Sequence, residues 1–167
     1  MTAKKVNFLK TIVPCAIYLL KMKNLFFLPL LLIIVTACSS DDSFDNNPFL
    51  PEPSFSFNIN LNLPKYASLA NPGTAVYVDE PNVGIKGVFV YHYGTGTYLA
   101  WEASCPNQVP SDCSRMELST PLVICNCDDY KYELLTGSIT DYEGEEKVYP
   151  LQAYRVSVNG KNIRIYN

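Results

Sequence analysis

The chain has 167 residues, 48% of them apolar and 17% charged, with a formal net charge of −3. That length and composition fit one domain of ordinary size and exclude a charged, hydrophobe-poor disordered chain. With 16 acidic against 13 basic residues, the chain lacks the basic excess that nucleic acid or an anionic membrane surface would require of a partner.

The first residues are expected to address the protein rather than to fold. Lys21-Met22-Lys23 supplies a positive start, and residues 24–38 carry no charge. The apolar stretch within them is short against the roughly 20 residues of a membrane span and suits a signal-peptide core. Val35-Thr36-Ala37-Cys38, followed at once by Ser39-Ser40-Asp41-Asp42, resembles a bacterial lipobox. The resemblance implies that Cys38 is lipidated and becomes the first residue of the mature protein. Residues 1–37 are therefore read as a signal region. Met22 opens a complete short signal peptide by itself, so residues 1–21, with Cys15, read as an overhang before the true start.

Cleavage changes the charge. Lys4, Lys5, Lys10, Lys21 and Lys23 are lost, which leaves eight basic residues against all 16 acidic ones, a net charge of −8. Lipid chains, not a basic patch, are then what holds the protein at a membrane. The expected location is the bacterial cell envelope, anchored to the outer membrane and facing either the periplasm or the cell surface. Asp41-Asp42 weakly resembles an acidic signal for surface export.

Residues 38–53 are polar and proline-rich and read as the lipidated cysteine with a tether; residues 54–167 read as the folded domain. Residues 54–63 alternate without error: Phe55, Phe57, Ile59, Leu61 and Leu63 on one face, Ser54, Ser56, Asn58, Asn60 and Asn62 on the other. Period two predicts a strand with one buried face, placed to cover a sheet edge. Asn71-Pro72-Gly73 predicts a turn before a strand at 75–78. Pro81-Asn82-Val83-Gly84 predicts another before a strand at 87–93, and Gly94-Thr95-Gly96 closes a hairpin onto 97–102. Residues 141–147 form an acidic loop. A last hairpin runs over 154–158 and 162–166, with a type I′ turn expected at Asn159-Gly160. Helical periodicity nowhere exceeds a turn or two after residue 54. The predicted fold class is all-β, a sandwich or barrel of short antiparallel strands.

Four cysteines remain in the mature part, an even number in an oxidising compartment. They fall in two boxes. Cys105-Pro106-Asn107 with Cys113 is the first, Cys125-Asn126-Cys127-Asp128 the second, and seventeen residues separate Asn107 from Cys125. Four cysteines permit three pairings, among which the sequence does not choose.

These boxes resemble those of the Rieske [2Fe–2S] ferredoxin family. There the first box is Cys-x-His and the second Cys-x-x-His; two cysteines hold one iron and two histidines the other. Some members add a cysteine to each box and join the two in a disulfide. The resemblance places Cys105 and Cys125 at the ligand cysteines and Cys113 and Cys127 at the disulfide pair, with Cys113 somewhat later than usual. Asn107 and Asp128 stand where the histidines would be. The likeness extends over residues 75–165. It takes in the hairpin that ends in Trp-Glu-Ala-Ser-Cys-Pro, Tyr130-Lys131-Tyr132 with Thr136-Gly137, and the closing hairpin. It implies a Rieske-like β domain.

The departures are chemical. An amide is a poor iron ligand and a carboxylate a hard, anionic one. Asp129-Tyr130 also replaces the Gly-Ser that would donate hydrogen bonds to a cluster. The expectation is a domain without its cluster, with two disulfides, Cys105–Cys125 and Cys113–Cys127, clamping the boxes together. His92, the one histidine, is expected to be a surface strand residue that cannot replace the missing ligands.

The functional reading is an envelope lipoprotein with no cofactor and no catalytic residues, acting as a binding or structural module. Its competitor is electron transfer through an altered cluster on Cys105 and Cys125 with oxygen ligands from Asp128 and Asn107. A zinc site on the four cysteines is disfavoured by their spacing and compartment. Asp128 and Asp129 read as solvated loop charges rather than an acid–base pair. Tyr130 and Tyr132 read as core residues before they read as a partner surface.

Overall fold

The computed structural model describes residues 47–167. The signal region, Cys38 and the first part of the tether lie outside the described residues.

The expected all-β class is what the chain forms, and every ladder is antiparallel. Strands β1 (Ser56–Asn60), β2 (Ala75–Val78), β3 (Val88–Gly94), β4 (Thr97–Glu102), β9 (Ala153–Asn159) and β10 (Asn162–Tyr166) make a six-stranded sheet in the order β1-β10-β9-β4-β3-β2. Strands β5 (Glu117–Ser119), β6 (Leu122–Ile124), β7 (Lys131–Glu133) and β8 (Ile139–Thr140) make a second sheet in chain order. None of these four is longer than three residues. Period two needs more length than that to rise above noise, so the sequence pattern did not expose them.

Two cores flank the β3–β4 hairpin. Val88, Val90, Tyr98 and Ala100 pack with Ile59, Ile163, Ile165 and the 3-10 helix Pro64–Ala70, which contributes Tyr66 and Leu69. On the other face Phe89, Tyr91 and Trp101 pack with Val123, Tyr132 and Leu134 of the second-sheet region and with Cys105 and Cys125. A strand covered on both faces shows no hydrophobic alternation. That is why the reading of His92 as a surface residue fails. His92 is only 5% exposed; it stacks on Tyr98 with ring centroids 4.4 Å apart, and neither ring nitrogen has a hydrogen-bond partner.

The first strand is shorter than its alternation suggests. It ends at Asn60, and Leu63 caps the 3-10 helix, half exposed at 50%. The ladder ends there because its partner β10 begins at Asn162, opposite Asn60, and the chain turns away, the Leu63 amide donating to the Asn60 carbonyl at 3.0 Å. β1 covers β10 and becomes the sheet's new edge. In the last hairpin Asn159 pairs with Asn162, so the central residues are Gly160 and Lys161 rather than Asn159 and Gly160. Only Gly160 has positive φ, +59°, the sign pattern of a type II′ turn rather than the expected I′.

The tether also ends sooner than expected. Residues 47–53 lie on the domain: Leu50 is buried, Phe49 meets Tyr149 edge to face, and the Asn47 side chain donates to the Pro106 carbonyl at 2.7 Å. A buried leucine and a ring pair give this stretch more to gain from packing than its polar, proline-rich composition indicated.

One buried carboxylate ties the hairpin to its surroundings. Glu102 is fully buried. Its Oε1 accepts from the Lys86 and Ser104 amides at 2.9 and 2.8 Å, and its Oε2 from the Ile85 amide at 2.7 Å and the Tyr154 hydroxyl at 2.6 Å. Gly84 must be glycine for this to happen. Its φ is +69°, and a Cβ there would stand 2.8 Å from Oε2 and 2.7 Å from the Gly87 carbonyl. Burial, and then the neighbouring Glu102 carboxylate, push the Tyr154 hydroxyl pKa far above its ordinary value.

Replacing Glu102 by Gln keeps the shape but turns one acceptor into a donor that faces buried N–H groups. We expect Glu102→Gln to destabilise the domain by about 2–4 kcal/mol, read as a drop in urea midpoint followed through Trp101, the single tryptophan. A change below about 0.5 kcal/mol, the range of an ordinary surface substitution, would show that the carboxylate does not hold this junction.

Candidate functional site

The two cysteine boxes meet where the sheets meet. Box one begins just past β4 and box two just past β6. The box-one loop is pinned by the Ser104–Arg115 bridge and by the Cys105 amide donating to the Ser114 carbonyl at 2.7 Å. Ser114 is fully buried, and its hydroxyl accepts from the Ser111 amide at 3.0 Å and donates to the Ser111 carbonyl at 2.9 Å. Box two is a tight turn closed on itself. The Asp129 amide donates to the Cys125 carbonyl at 2.9 Å and the Cys125 amide to the Tyr130 carbonyl at 2.8 Å.

The structure pairs Cys105 with Cys125 and Cys113 with Cys127, with Cα–Cα distances of 5.5 and 5.4 Å. The inner bond is wholly buried in the second core. The outer one is accessible, with Cys113 exposed and Cys127 half-buried. The sulfurs of Cys105, Cys125 and Cys127 all lie within 4.8 Å of one another.

The residues at the two histidine positions are occupied with other work. Asn107 donates to the Tyr132 hydroxyl at 2.8 Å and to the Tyr149 carbonyl at 3.2 Å, and its amide oxygen accepts from the Tyr149 N–H at 2.7 Å. Asp128 accepts from the Tyr130 amide at 3.0 Å, closing the turn, while exposed Asp129 takes a left-handed φ of +62°. A [2Fe–2S] centre needs two thiolates on one iron and two further ligands on the other. Here both inner sulfurs are bonded to each other, the amide is saturated by its neighbours, and the carboxylate caps its own loop. This donor set does not fit the cluster.

Sequence reading missed three contributors. Gln108 donates to the Cys125 sulfur at 3.2 Å. Tyr132 is entirely buried, as the core reading of it expected, but its hydroxyl is a partner of Asn107. Trp101 donates to the Leu134 carbonyl at 2.9 Å and lies against Gly137, where φ is +73° and a Cβ would stand 2.7 Å from the indole. The Thr136-Gly137 pair was legible as part of the resemblance; that the tryptophan needs the missing side chain was not. Tyr130 is partly buried against the second core and meets Tyr142 edge to face.

As a class, this is an all-β domain whose two cysteine loops are clamped by adjacent disulfides. No family model and no curated protein matches the chain. Among solved structures it is similar to the plasma membrane Rieske protein of Synechocystis PCC 6803, at 19% identity over 66% of this chain and 99% of that one, with a TM-score of 0.47. It is also similar to the ferredoxin of carbazole 1,9a-dioxygenase from Nocardioides aromaticivorans IC177, at 18% identity over 70% and 97%, TM-score 0.40. A third similar structure is a ferredoxin of Sphingomonas yanoikuyae B1, at 15% identity over 59% and 92%, TM-score 0.40. The fold class stands on the chain's own strand pairings.

Two buried phenols give the domain an alkaline limit. Burial raises the Tyr132 hydroxyl pKa well above its ordinary value, and the hydrogen bond from Asn107 offsets part of the rise; Tyr154 is raised as well. Both keep their protons in the folded state beyond the pH at which an unfolded chain loses them. Their contribution is therefore fully present below about pH 10 and is lost as pH rises further. The urea midpoint should be level to about pH 9.5 and fall steadily above it. A midpoint that holds to about pH 11.5 would contradict the burial of these hydroxyls.

Proposed function

We propose that this chain is a cell-envelope lipoprotein whose Rieske-like domain has exchanged an iron–sulfur cluster for two disulfides, and that it acts as a non-catalytic binding or structural module. One observation carries the reading: the two cysteines in cluster-ligand positions are joined to each other, Cys105 to Cys125, over an Asn107 amide that is spent on Tyr132 and Tyr149. Neutral imidazoles can leave such a site only if something else fills the space and satisfies the polar groups, and here the disulfide and the amide do both.

The lipobox supports the location. A lipidated Cys38 would hold the domain at the outer membrane through its acyl chains, on the periplasmic or the surface side, with no role for nucleic acid. Among the described residues no helix is long and apolar enough to cross a membrane. In this reading the domain offers a rigid, acidic, clamped surface to a protein partner, and no residue of it performs turnover.

The test is purification of residues 39–167 from anaerobic, iron-replete cells, with a visible spectrum and an iron and sulfide count. The expected protein is colourless and free of iron. A brown protein with two irons and two sulfides per chain would overturn the reading in favour of electron transfer through an altered cluster.

A further inference from the structure

Three of the four disulfide sulfurs converge, and they differ sharply in access. Cys113 is exposed, Cys127 is half-buried, and Cys105 and Cys125 are fully buried. Cys127 nevertheless lies within 4.8 Å of both inner sulfurs. We propose that the pair is a thiol–disulfide exchange relay for dithiol reductants, in which the outer bond receives the attack and Cys127 passes it to the buried bond. The relay depends on the disulfide geometry alone and does not require that the domain derive from an iron–sulfur fold.

The steps balance. One thiolate of the dithiol attacks the exposed Cys113 sulfur, the Cys113–Cys127 bond breaks, a mixed disulfide forms on Cys113, and Cys127 leaves as a thiolate. The Ser111 hydroxyl, 3.5 Å from the Cys113 sulfur and 3.9 Å from that of Cys127, is placed to donate to the thiolate as it forms. The reductant's second thiol then attacks its own sulfur in the mixed disulfide. The reductant leaves as a disulfide, Cys113 becomes a thiol, and two electrons have passed to the domain. Cys127 next attacks the Cys105 sulfur. A Cys105–Cys127 bond forms, and Cys125 leaves as a thiolate that takes a proton from water, with no further change in oxidation state. Cys125 is the better leaving sulfur because Gln108 donates to it at 3.2 Å, and a hydrogen bond to sulfur stabilises the departing anion. A reductant too large to enter the core thereby opens a bond it never touches.

The relay is tested on the full chain carrying Cys15→Ser and Cys38→Ser, so that only the four domain sulfurs report. Limited dithiothreitol, alkylation and peptide mapping identify the free thiols in the fraction with one bond reduced. The expected labels are on Cys113 and Cys125, with a Cys105–Cys127 cross-link. Labels confined to Cys113 and Cys127 would overturn the proposal. A kinetic arm uses Cys113→Ala/Cys127→Ala, whose inner bond should be reduced at least about tenfold more slowly than in the parent, because no internal thiolate remains to open it. An equal rate would show that the reductant reaches the inner bond unaided. Gln108→Leu should slow the appearance of free Cys125 while leaving the first opening of the outer bond unchanged; an unaffected second step would remove Gln108 from the relay and the directional assignment with it.

Discussion

The Cys105–Cys125 bond is the point on which the two sheets are hung. Cys105 lies three residues past the end of β4 of the six-stranded sheet, and β6 of the four-stranded sheet runs directly into Cys125. A covalent link between those two strand ends fixes the second sheet over the outer face of the β3–β4 hairpin. The contacts that form the second core, Phe89 and Trp101 against Val123 and Leu134, depend on that placement. The strands on that side are at most three residues long, and so few ladder bonds would hold a sheet only weakly. A disulfide closing a loop of this length is typically worth about 2–4 kcal/mol. The outer bond interleaves with the inner one, from Cys113 to Cys127, so it closes a chain already constrained and adds less than a second independent loop would.

Around that link the buried polar groups divide into those the fold satisfies and, among the described residues, His92 and the Gln152 side-chain oxygen, which it does not. Glu102 collects four donors and Asn107 makes three bonds; both sit at junctions between segments distant in sequence. A buried polar group with all its partners fixes one arrangement, since any slip would strand a donor or an acceptor. His92 is the contrast. It offers the first core an aromatic face against Tyr98 and leaves both nitrogens without partners. Its position at the end of a two-face-buried strand explains its burial. Nothing in the structure explains why the residue is histidine rather than phenylalanine.

How much could be read in advance follows from the same division. The cysteine boxes were legible because their spacing is local and is carried by the cysteines themselves. The β3–β4 and β9–β10 hairpins were legible because Gly94, Gly96 and Gly160 mark positive φ. Yet the β9–β10 turn was displaced by one residue, because Asn159 is equally suited to pairing and to turning. The burial of His92 was hidden by the lack of alternation in β3. Glu102 left a faint signal: it shares parity with Tyr98 and Ala100, which face the first core, so an inward carboxylate could have been suspected. Asn107 left none. Its partner Tyr149 is 42 residues away in an irregular segment, and no local pattern encodes that contact.

The saturation of Asn107 and Asp128 bears on what this centre can become. To seat two irons, the chain would have to reduce a bond with no exposed sulfur, withdraw Asn107 from Tyr132 and Tyr149, and release Asp128 from the Tyr130 amide that closes its turn. Each of the last two steps strands a buried or half-buried polar group, at about 1–3 kcal/mol apiece, and the first loosens the sheet that the other two contacts sit on. These changes are coupled rather than additive, because they share Tyr132 and the box-two turn. A site in this condition resists gaining a ligand one residue at a time. Its inner sulfurs are held in covalent closure, and of the four domain sulfurs only the outer pair is within reach of solvent.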